Sequence, residues 1–129
     1  MSRSQPIRVV QLLHTMAHGG VETALLNWLQ VLRPEEVDAR VVVFANPDGS
    51  EAAFVEAASR VGVNVDRIPW GRFKPVFSSA RHLGAYLKRE RIDIVHCHNT
   101  YANAVGLLAA RLAKCRSLPT YYVWGDFGF

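Results

Sequence analysis

The chain has 129 residues, of which half are hydrophobic and a fifth are charged, as in one soluble globular domain with a sizeable core. The first apolar run is interrupted by Arg8 and Gln11, which argues against a signal peptide, and no apolar stretch is long enough to span a membrane. The net charge of +4 is unevenly placed. The stretch from Arg67 to Arg91 holds seven lysines and arginines and one glutamate, whereas the rest of the chain is net acidic.

Apolar patterns along the chain predict five strands and four helices in alternation. The strands are expected at Ile7–Leu13, Ala39–Ala45, Val63–Ile68, Ile92–His96 and Leu118–Val123. The helices are expected at Val21–Leu32, at 50–61 with Ser50 as the cap, from Ser78 or Ser79 onward, and at Tyr101–Lys114. The first helix is expected to bury Leu25 and Trp28 on one face.

This alternation predicts an α/β fold: a Rossmann-like, doubly wound parallel sheet with helices on both faces and the strand order 3-2-1-4-5. Residues 1–129 are expected to form this single domain. Ligands of such sheets bind where the strand order reverses, here between the first and fourth strands. The polar loops His14–Gly20 and His96–Thr100 follow those strands, so we expect them to flank one crevice.

Gly19 and Gly20 directly precede the first helix, where backbone amides can approach an anion. The residues around them form neither the G-x-G-x-x-G dinucleotide fingerprint nor a Walker A loop. The second strand ends in Asn46 and Pro47 rather than in an acidic residue placed for a ribose, which argues against NAD. The alternative interpretation is a tight turn that needs glycine for a positive φ angle.

His96 and His98 are two residues apart on an extended segment, so their side chains are expected to point to the same side. One strand face supplies only two ligands, whereas a zinc site needs three or four, and His14, His18 and Asp126 would have to complete it. No metal site is therefore predicted. His96 is expected to be a core histidine, and His98, nearer the crevice, is expected to contact a substrate.

The two cysteines, Cys97 and Cys115, are separated by a predicted helix and hence by about 20 Å. A disulfide needs Cα atoms within about 7 Å. We therefore expect free thiols and a reducing compartment such as the cytoplasm.

The segment from Trp70 to Phe77 mixes aromatic and basic side chains. It could stack on a sugar or a nucleobase or enter a membrane surface, or its aromatic rings could cover the core. The basic stretch that contains it fits an anionic partner or, equally, a solvated helix face. No nucleic-acid-binding motif accompanies it, so no nucleic-acid partner is predicted.

Three motifs follow one another along the chain: Gly19-Gly20-x-Glu22, then R-x-D-I-V-H-x-H at residues 91–98, then L-L-A-A-R-L-A at residues 107–113. Together they resemble the amino-terminal domain of family-4 retaining glycosyltransferases, which have the GT-B fold. The resemblance covers nearly the whole chain. It implies two Rossmann-like domains that face each other across a cleft. This chain would be the acceptor-side domain, and the carboxyl-terminal, donor-binding domain is absent from it.

The resemblance further implies roles for single residues. Gly19 and Gly20 would approach the donor diphosphate across the cleft. The acceptor side would be lined by His14, Glu22, His98, Asn99 and Thr100. A nucleotide sugar would be a substrate, and neither a cofactor nor a metal ion would be needed. The basic segment Arg72–Arg91 would meet a glycan or lipid-linked acceptor at the inner face of the membrane.

The end of the chain departs from the family pattern. The family often has a histidine near the sugar at the end of the fifth strand, and Trp124 stands in that place here. Trp124 is therefore a further candidate for the acceptor site. The segment Tyr121–Phe129 is apolar and aromatic, so we expect missing chain, a second copy or another partner to cover it.

Two other functional classes remain as alternatives. The chain could be a non-catalytic α/β module that binds an anion or scaffolds a partner through its last strand. A flavodoxin-like cofactor protein is disfavoured, because the first loop lacks the Ser/Thr-rich run that holds a flavin phosphate.

Overall fold

The computed structural model describes residues 5–15, 19–70 and 76–120. The strands are β1 (Ile7–Leu13), β2 (Val37–Ala45), β3 (Val65–Pro69), β4 (Ile94–Cys97) and β5 (Arg116–Pro119). The helices are α1 (Gly20–Val31), α2 (Ala52–Arg60), α3 (Val76–Arg89) and α4 (Thr100–Ala113). All strand pairs are parallel and their order is β3-β2-β1-β4-β5, which confirms the predicted fold class and the predicted reversal between β1 and β4.

The two faces of the sheet are covered unequally. Helices α3 and α4 pack on the face that carries Leu12, Phe44 and Val95. Helices α1 and α2 pack on the opposite face, against Val41 and Val43 of β2 and their neighbours. On that second face the described residues place no helix over β5, where Leu118 is 53% exposed. An open apolar groove therefore remains beside α1.

Three helices end in a residue with left-handed backbone conformation: Gly62 (φ +78°), Arg91 (φ +54°) and Lys114 (φ +59°). The amide of the next residue then bonds back to the helix, as Val63 does to Ala58 and Ile92 to Leu87. Val63 and Ile92, which the apolar pattern predicts as the first residues of strands, therefore belong to helix caps instead. This is why β3 and β4 begin at residues 65 and 94 rather than at 63 and 92.

Two predicted helix starts, those of α2 and α3, differ from the structure. Ser50 does not cap α2; the cap position is Glu51, and the Ser50 hydroxyl accepts a hydrogen bond from Asn46 Nδ2 at 2.9 Å. Helix α3 is Val76–Arg89, so Ser79 lies inside it rather than at its start, and the Ser79 hydroxyl donates a hydrogen bond to the Pro69 carbonyl. Residues 121–123, at the end of the predicted fifth strand, lie outside the described residues.

Trp28 was expected in the core but is 43% exposed, because Leu25 and Leu26 fill the contact of α1 with the sheet. The prediction of free thiols is confirmed for both cysteines. They lie at opposite ends of neighbouring strands, since Cys97 pairs with Pro119 while Cys115 precedes the start of β5. Over the described ranges, no helix combines the length and the apolar composition of a membrane span.

Candidate functional site

Asn99 joins the two loops at the reversal point of the sheet. Its side-chain oxygen accepts a hydrogen bond from the His14 amide at 3.3 Å, and its side-chain nitrogen donates to the His14 carbonyl at 2.6 Å. The same oxygen accepts from the Ala102 amide at 3.4 Å and so caps α4. One side chain therefore holds the end of β1 against the start of α4, in the crevice predicted from the sequence.

The His14 ring belongs to a cluster of four rings at this edge of the sheet. Its centroid lies 5.6 Å from that of Phe44, 5.9 Å from that of Trp70 and 5.3 Å from that of Tyr101. Trp70 is 4% exposed and packs on Phe44 at 4.7 Å, so the core-covering interpretation is the correct one for Trp70. His14 and Tyr101 are half-buried, and these two rings are the ones that a ligand at this edge can reach.

Glu22 closes the loop between β1 and α1. Its Oε1 atom accepts from the Thr15 hydroxyl at 2.9 Å, and its Oε2 atom accepts from the Gly19 amide at 3.2 Å. A carboxylate in the first helical turn also interacts favourably with the helix dipole. Glu22 thereby connects residues 15 and 19, which are the described ends of this loop; His18, between them, lies outside the described residues.

The glycine pair is not explained by backbone conformation. Gly19 has φ −114°, which any residue adopts, and Gly20 is the first residue of α1, so the interpretation as a turn with positive φ is wrong. Among the described residues, a Cβ atom at Gly20 would meet nothing within 4 Å, and one at Gly19 would lie 3.5 Å from Glu22 Oε2. Neither conformation nor packing among the described residues therefore requires glycine at these exposed positions.

His98 lies on the opposite face of the sheet from the ring cluster. It is 6% exposed, and its Nε2 atom lies 2.5 Å from Gln11 Oε1. The rings of His96 and His98 are 4.3 Å apart on one side of β4, as the spacing predicted, and His96 Nε2 lies 2.6 Å from Thr120 Oγ1. The structure therefore does not bring His98 into contact with the ring of His14.

Burial sets the charge state of both histidines. It lowers the pKa of His98 to about 4, with a further contribution from the neighbouring His96, and it also lowers the pKa of His96. Both rings are therefore neutral near pH 7 and can accept or donate hydrogen bonds. Burial likewise raises the pKa of the Cys97 thiol to about 12, so this cysteine is not poised as a nucleophile.

The open groove beside α1 has a volume of about 470 Å³ and a mostly apolar wall that includes Val21, Trp28 and Leu118. Gln11, His96 and His98 add polar groups to the same wall. Gln11 is 1% exposed, and its Nε2 donor has no hydrogen-bond partner among the described residues. A buried donor without an acceptor is costly, so the polar end of this groove is suited to a group that accepts a hydrogen bond.

Thr100 and Trp124 are the last two predicted site residues. Thr100 is the first residue of α4 and is exposed beside Asn99. Trp124 lies outside the described residues. In the part of the chain that the structure describes, no three histidine, cysteine, aspartate or glutamate side chains converge as a metal site requires.

A family model for Glycosyltransferase Family 4 matches residues 18–125. The chain belongs to Glycosyltransferase Family 4. The resemblance inferred from the sequence motifs is thereby confirmed. No curated protein matches the chain.

Solved structures share the fold of this Family 4 chain. A glycosyltransferase from Rickettsia africae is 17% identical, with a TM-score of 0.64 over 90% of this chain and 30% of its own. MurG from Acinetobacter baumannii is 20% identical, with a TM-score of 0.65 over 88% of this chain and 34% of its own. A putative UDP-N-acetylglucosamine 2-epimerase from Listeria monocytogenes is 15% identical, with a TM-score of 0.60 over 95% and 34%. The chain thus spans about a third of the length of these proteins.

One residue at the site of this Family 4 chain, Asn46, was not predicted from the sequence. Asn46, at the end of β2, donates from Nδ2 to the Thr15 carbonyl at 2.8 Å, and its amide donates to Glu51 Oε1 at 3.1 Å. It therefore ties the end of β2 to the first loop, as Asn99 ties the start of α4 to β1. The signal was present, because a polar residue follows a buried strand next to the first one, but Asn46 was used only as an argument against NAD.

Proposed function

We propose that this chain is the amino-terminal, acceptor-side domain of a retaining glycosyltransferase that transfers a sugar from a nucleotide-sugar donor to a glycan or lipid-linked acceptor. Family membership supports transfer as the reaction class. The chain alone is expected to be inactive, because transfer needs a donor-binding domain as well. The nucleotide sugar is a substrate, and the reaction is expected to proceed without a cofactor or a metal ion.

The observation that carries this proposal is the glycine pair at the start of α1. Neither backbone conformation nor packing among the described residues requires glycine there, and a close approach by a ligand from outside the domain would give a physical reason for it. The first amides of a helix, together with its dipole, favour an anion. Gly19 and Gly20 are therefore assigned to the donor diphosphate, where they would stabilise the charge that develops as the nucleotide leaves.

The other candidates divide into contact and positioning residues. His14 and Thr100 are exposed or half-buried at the crevice and are assigned to the acceptor. Asn99 and Glu22 position the two loops through the hydrogen bonds described above. His98, buried with Gln11, supports the site from the opposite face, and Trp124 remains a proposed acceptor contact.

The open groove beside α1 fits a contact with the rest of the enzyme. Its wall is mostly apolar, Leu118 in it is 53% exposed, and the solved proteins with this fold are about three times as long. The donor-binding part of the protein is the proposed cover; a second copy or a separate partner would be the other outcome. The enzyme is proposed to act in the cytoplasm, at the inner face of the membrane, where its lipid-linked acceptor would lie.

A substitution at Gly20 tests the donor assignment in the full natural protein. Gly20→Val should lower kcat/KM for the nucleotide sugar by about 100-fold, because the side chain would hold the diphosphate away from the helix. The matched control is Asn27→Val, which adds the same side chain to an exposed position two turns along α1 and should leave kcat/KM unchanged. Unchanged kinetics in Gly20→Val, with the folded state intact by circular dichroism, would remove Gly20 from the donor site.

A non-catalytic binding module is the second candidate. The observation that favours it is the open groove with the Gln11 Nε2 donor, which has no partner in the described ranges, because this groove could hold a partner segment instead of a catalytic domain. This alternative predicts that residues 1–129 form a defined dimer or complex by themselves. The enzyme proposal predicts that they are marginally soluble and that transfer appears only when the donor domain is present.

A further inference from the structure

Thr120, which directly follows β5, has its three polar groups fixed by β4 and α4. Its amide donates a hydrogen bond to the Cys97 carbonyl at 2.9 Å. Its hydroxyl oxygen lies 2.6 Å from His96 Nε2, and its carbonyl accepts a hydrogen bond from Asn103 Nδ2 at 3.3 Å. The end of β5 is therefore tied both to the neighbouring strand and to the helix that precedes β5.

These bonds lie at the same edge of the sheet as the crevice. Asn103 is one turn after Asn99, and its amide donates to the Asn99 carbonyl at 2.7 Å. Asn99 ties the start of α4 to the end of β1, and Asn103 ties the same helical turn to the end of β5. The first turn of α4 is thus held from both sides and connects the carboxyl ends of the two strands.

The polar side chain of Asn103 is costly at its position. Its Oδ1 atom is buried and has no hydrogen-bond partner among the described residues. A buried acceptor without a donor lowers stability, whereas a leucine of similar size would avoid that penalty and has a higher helix propensity. The stability of the fold therefore gives little reason for an asparagine here, while fixing the Thr120 carbonyl does give one.

We propose that His96 and Asn103 are positioning residues for sugar transfer, which hold the acceptor side of the crevice in place through Thr120. This inference rests on the proposed function. Ligands of parallel sheets bind beyond the carboxyl ends of the strands, and Trp124, a proposed acceptor contact, follows Thr120 by four residues in the sequence. Misplacing a substrate contact by about 1 Å can cost about 100-fold in rate, so the anchor affects transfer without either side chain having to touch the reacting atoms.

Paired substitutions at Thr120 test the bond to His96 in the full natural protein. Thr120→Val keeps the shape of the side chain but removes the hydroxyl, whereas Thr120→Ser keeps the hydroxyl. The donor probes are UDP-glucose, UDP-N-acetylglucosamine and GDP-mannose, and the acceptor probes are octyl β-glucoside and octyl α-mannoside. Thr120→Val should raise the KM for the acceptor at least about ten-fold and leave the KM for the donor unchanged, and Thr120→Ser should have both values of the wild type.

Asn103→Leu tests the second bond and separates positioning from stability. It should raise the acceptor KM in the same way, while the midpoint of urea unfolding stays at or above that of the wild type, because the unpartnered Oδ1 atom is removed together with the bond. The matched control is Asn27→Leu, the same exchange at an exposed position on α1, which should change neither KM.

Hydrogen–deuterium exchange tests the anchor without a substrate. Peptides that contain residue 120 should exchange faster in Thr120→Val and Asn103→Leu than in the wild type or in Asn27→Leu. Unchanged exchange in both variants would overturn the anchor. Transfer with unchanged acceptor KM in both would overturn the positioning role and leave the proposed function standing. Absence of transfer by the wild type between all of these probes would count against the proposed function, and faster exchange would still support the anchor.

Discussion

Asn99 shows how a single side chain can organise the crevice. It exchanges two hydrogen bonds with the backbone of His14 and caps α4 at Ala102, so three backbone groups, two in the first loop and one in α4, depend on one side-chain amide. An amide suits this position because it is both donor and acceptor, whereas aspartate lacks the donor and serine reaches less far. The acceptor-side role proposed for His14 therefore depends on Asn99 as a positioning residue.

Substitutions at Asn99 should separate the stability that comes from the helix cap from the stability that comes from the two hydrogen bonds to His14. Asn99→Ala loses the cap and both bonds to His14, and we expect the free energy of unfolding to fall by about 2–3 kcal/mol. Asn99→Ser keeps a capping oxygen and should fall by roughly half as much. Urea denaturation of the three proteins measures these differences. Equal stability of the serine variant and the wild type would mean that the bonds to His14 contribute nothing.

At the scale of elements, the contact between α4 and β4 depends on Gly106. A Cβ atom at this position would overlap the Sγ atom of the buried Cys97, and the next neighbour, Leu12 Cδ2, would be at 3.4 Å. Glycine in the middle of a helix costs about 1 kcal/mol relative to alanine, so the close approach of helix and strand has to compensate for it. The missing side chain of Gly106 in α4 therefore leaves the space that the Cys97 side chain of β4 occupies.

We expect Gly106→Ala to lower the free energy of unfolding by about 1–3 kcal/mol through overpacking, despite the better helix propensity of alanine. Removing the Sγ atom in Cys97→Ala/Gly106→Ala should recover part of that loss. Gly84→Ala is the matched control on α3, because its nearest neighbour is at 3.4 Å, and it should be close to neutral. If Gly106→Ala is as stable as Gly84→Ala, then the helix does not lie this close to β4.

The elements also show which features a sequence can predict. The alternation of strand and helix patterns was sufficient for the order β3-β2-β1-β4-β5, because right-handed crossovers leave few arrangements. The predicted starts of β3 and β4 were wrong because the apolar residue after Gly62 and the one after Arg91 hydrogen-bond back to the preceding helix as part of its cap. The separation of His14 and His98 onto opposite faces depends on the register, in which Gln11 is paired with His96, and no local pattern reveals a register.

At the scale of the whole molecule, the described residues cover one face of the sheet and leave a groove open on the other. Helices α3 and α4 cover one side of the sheet, while Leu118 and Trp28 border the open groove on the other, 53% and 43% exposed. If the donor-binding part covers this groove, Leu118→Asp should destabilise the full natural protein by about 1–3 kcal/mol, because a carboxylate would be buried in an apolar contact, and transfer should fall with it.

Leu107→Asp is the matched control for this change, since Leu107 is 42% exposed on the opposite, α3–α4 side. It should leave the free energy of unfolding within about 0.5 kcal/mol of the wild type and leave transfer to a soluble acceptor intact. Thermal unfolding and a transfer assay on both variants distinguish the two faces. A Leu118→Asp protein that matched Leu107→Asp in both measurements would mean that the groove faces water in the whole protein, and the donor-binding part would then have to contact this domain only across the crevice.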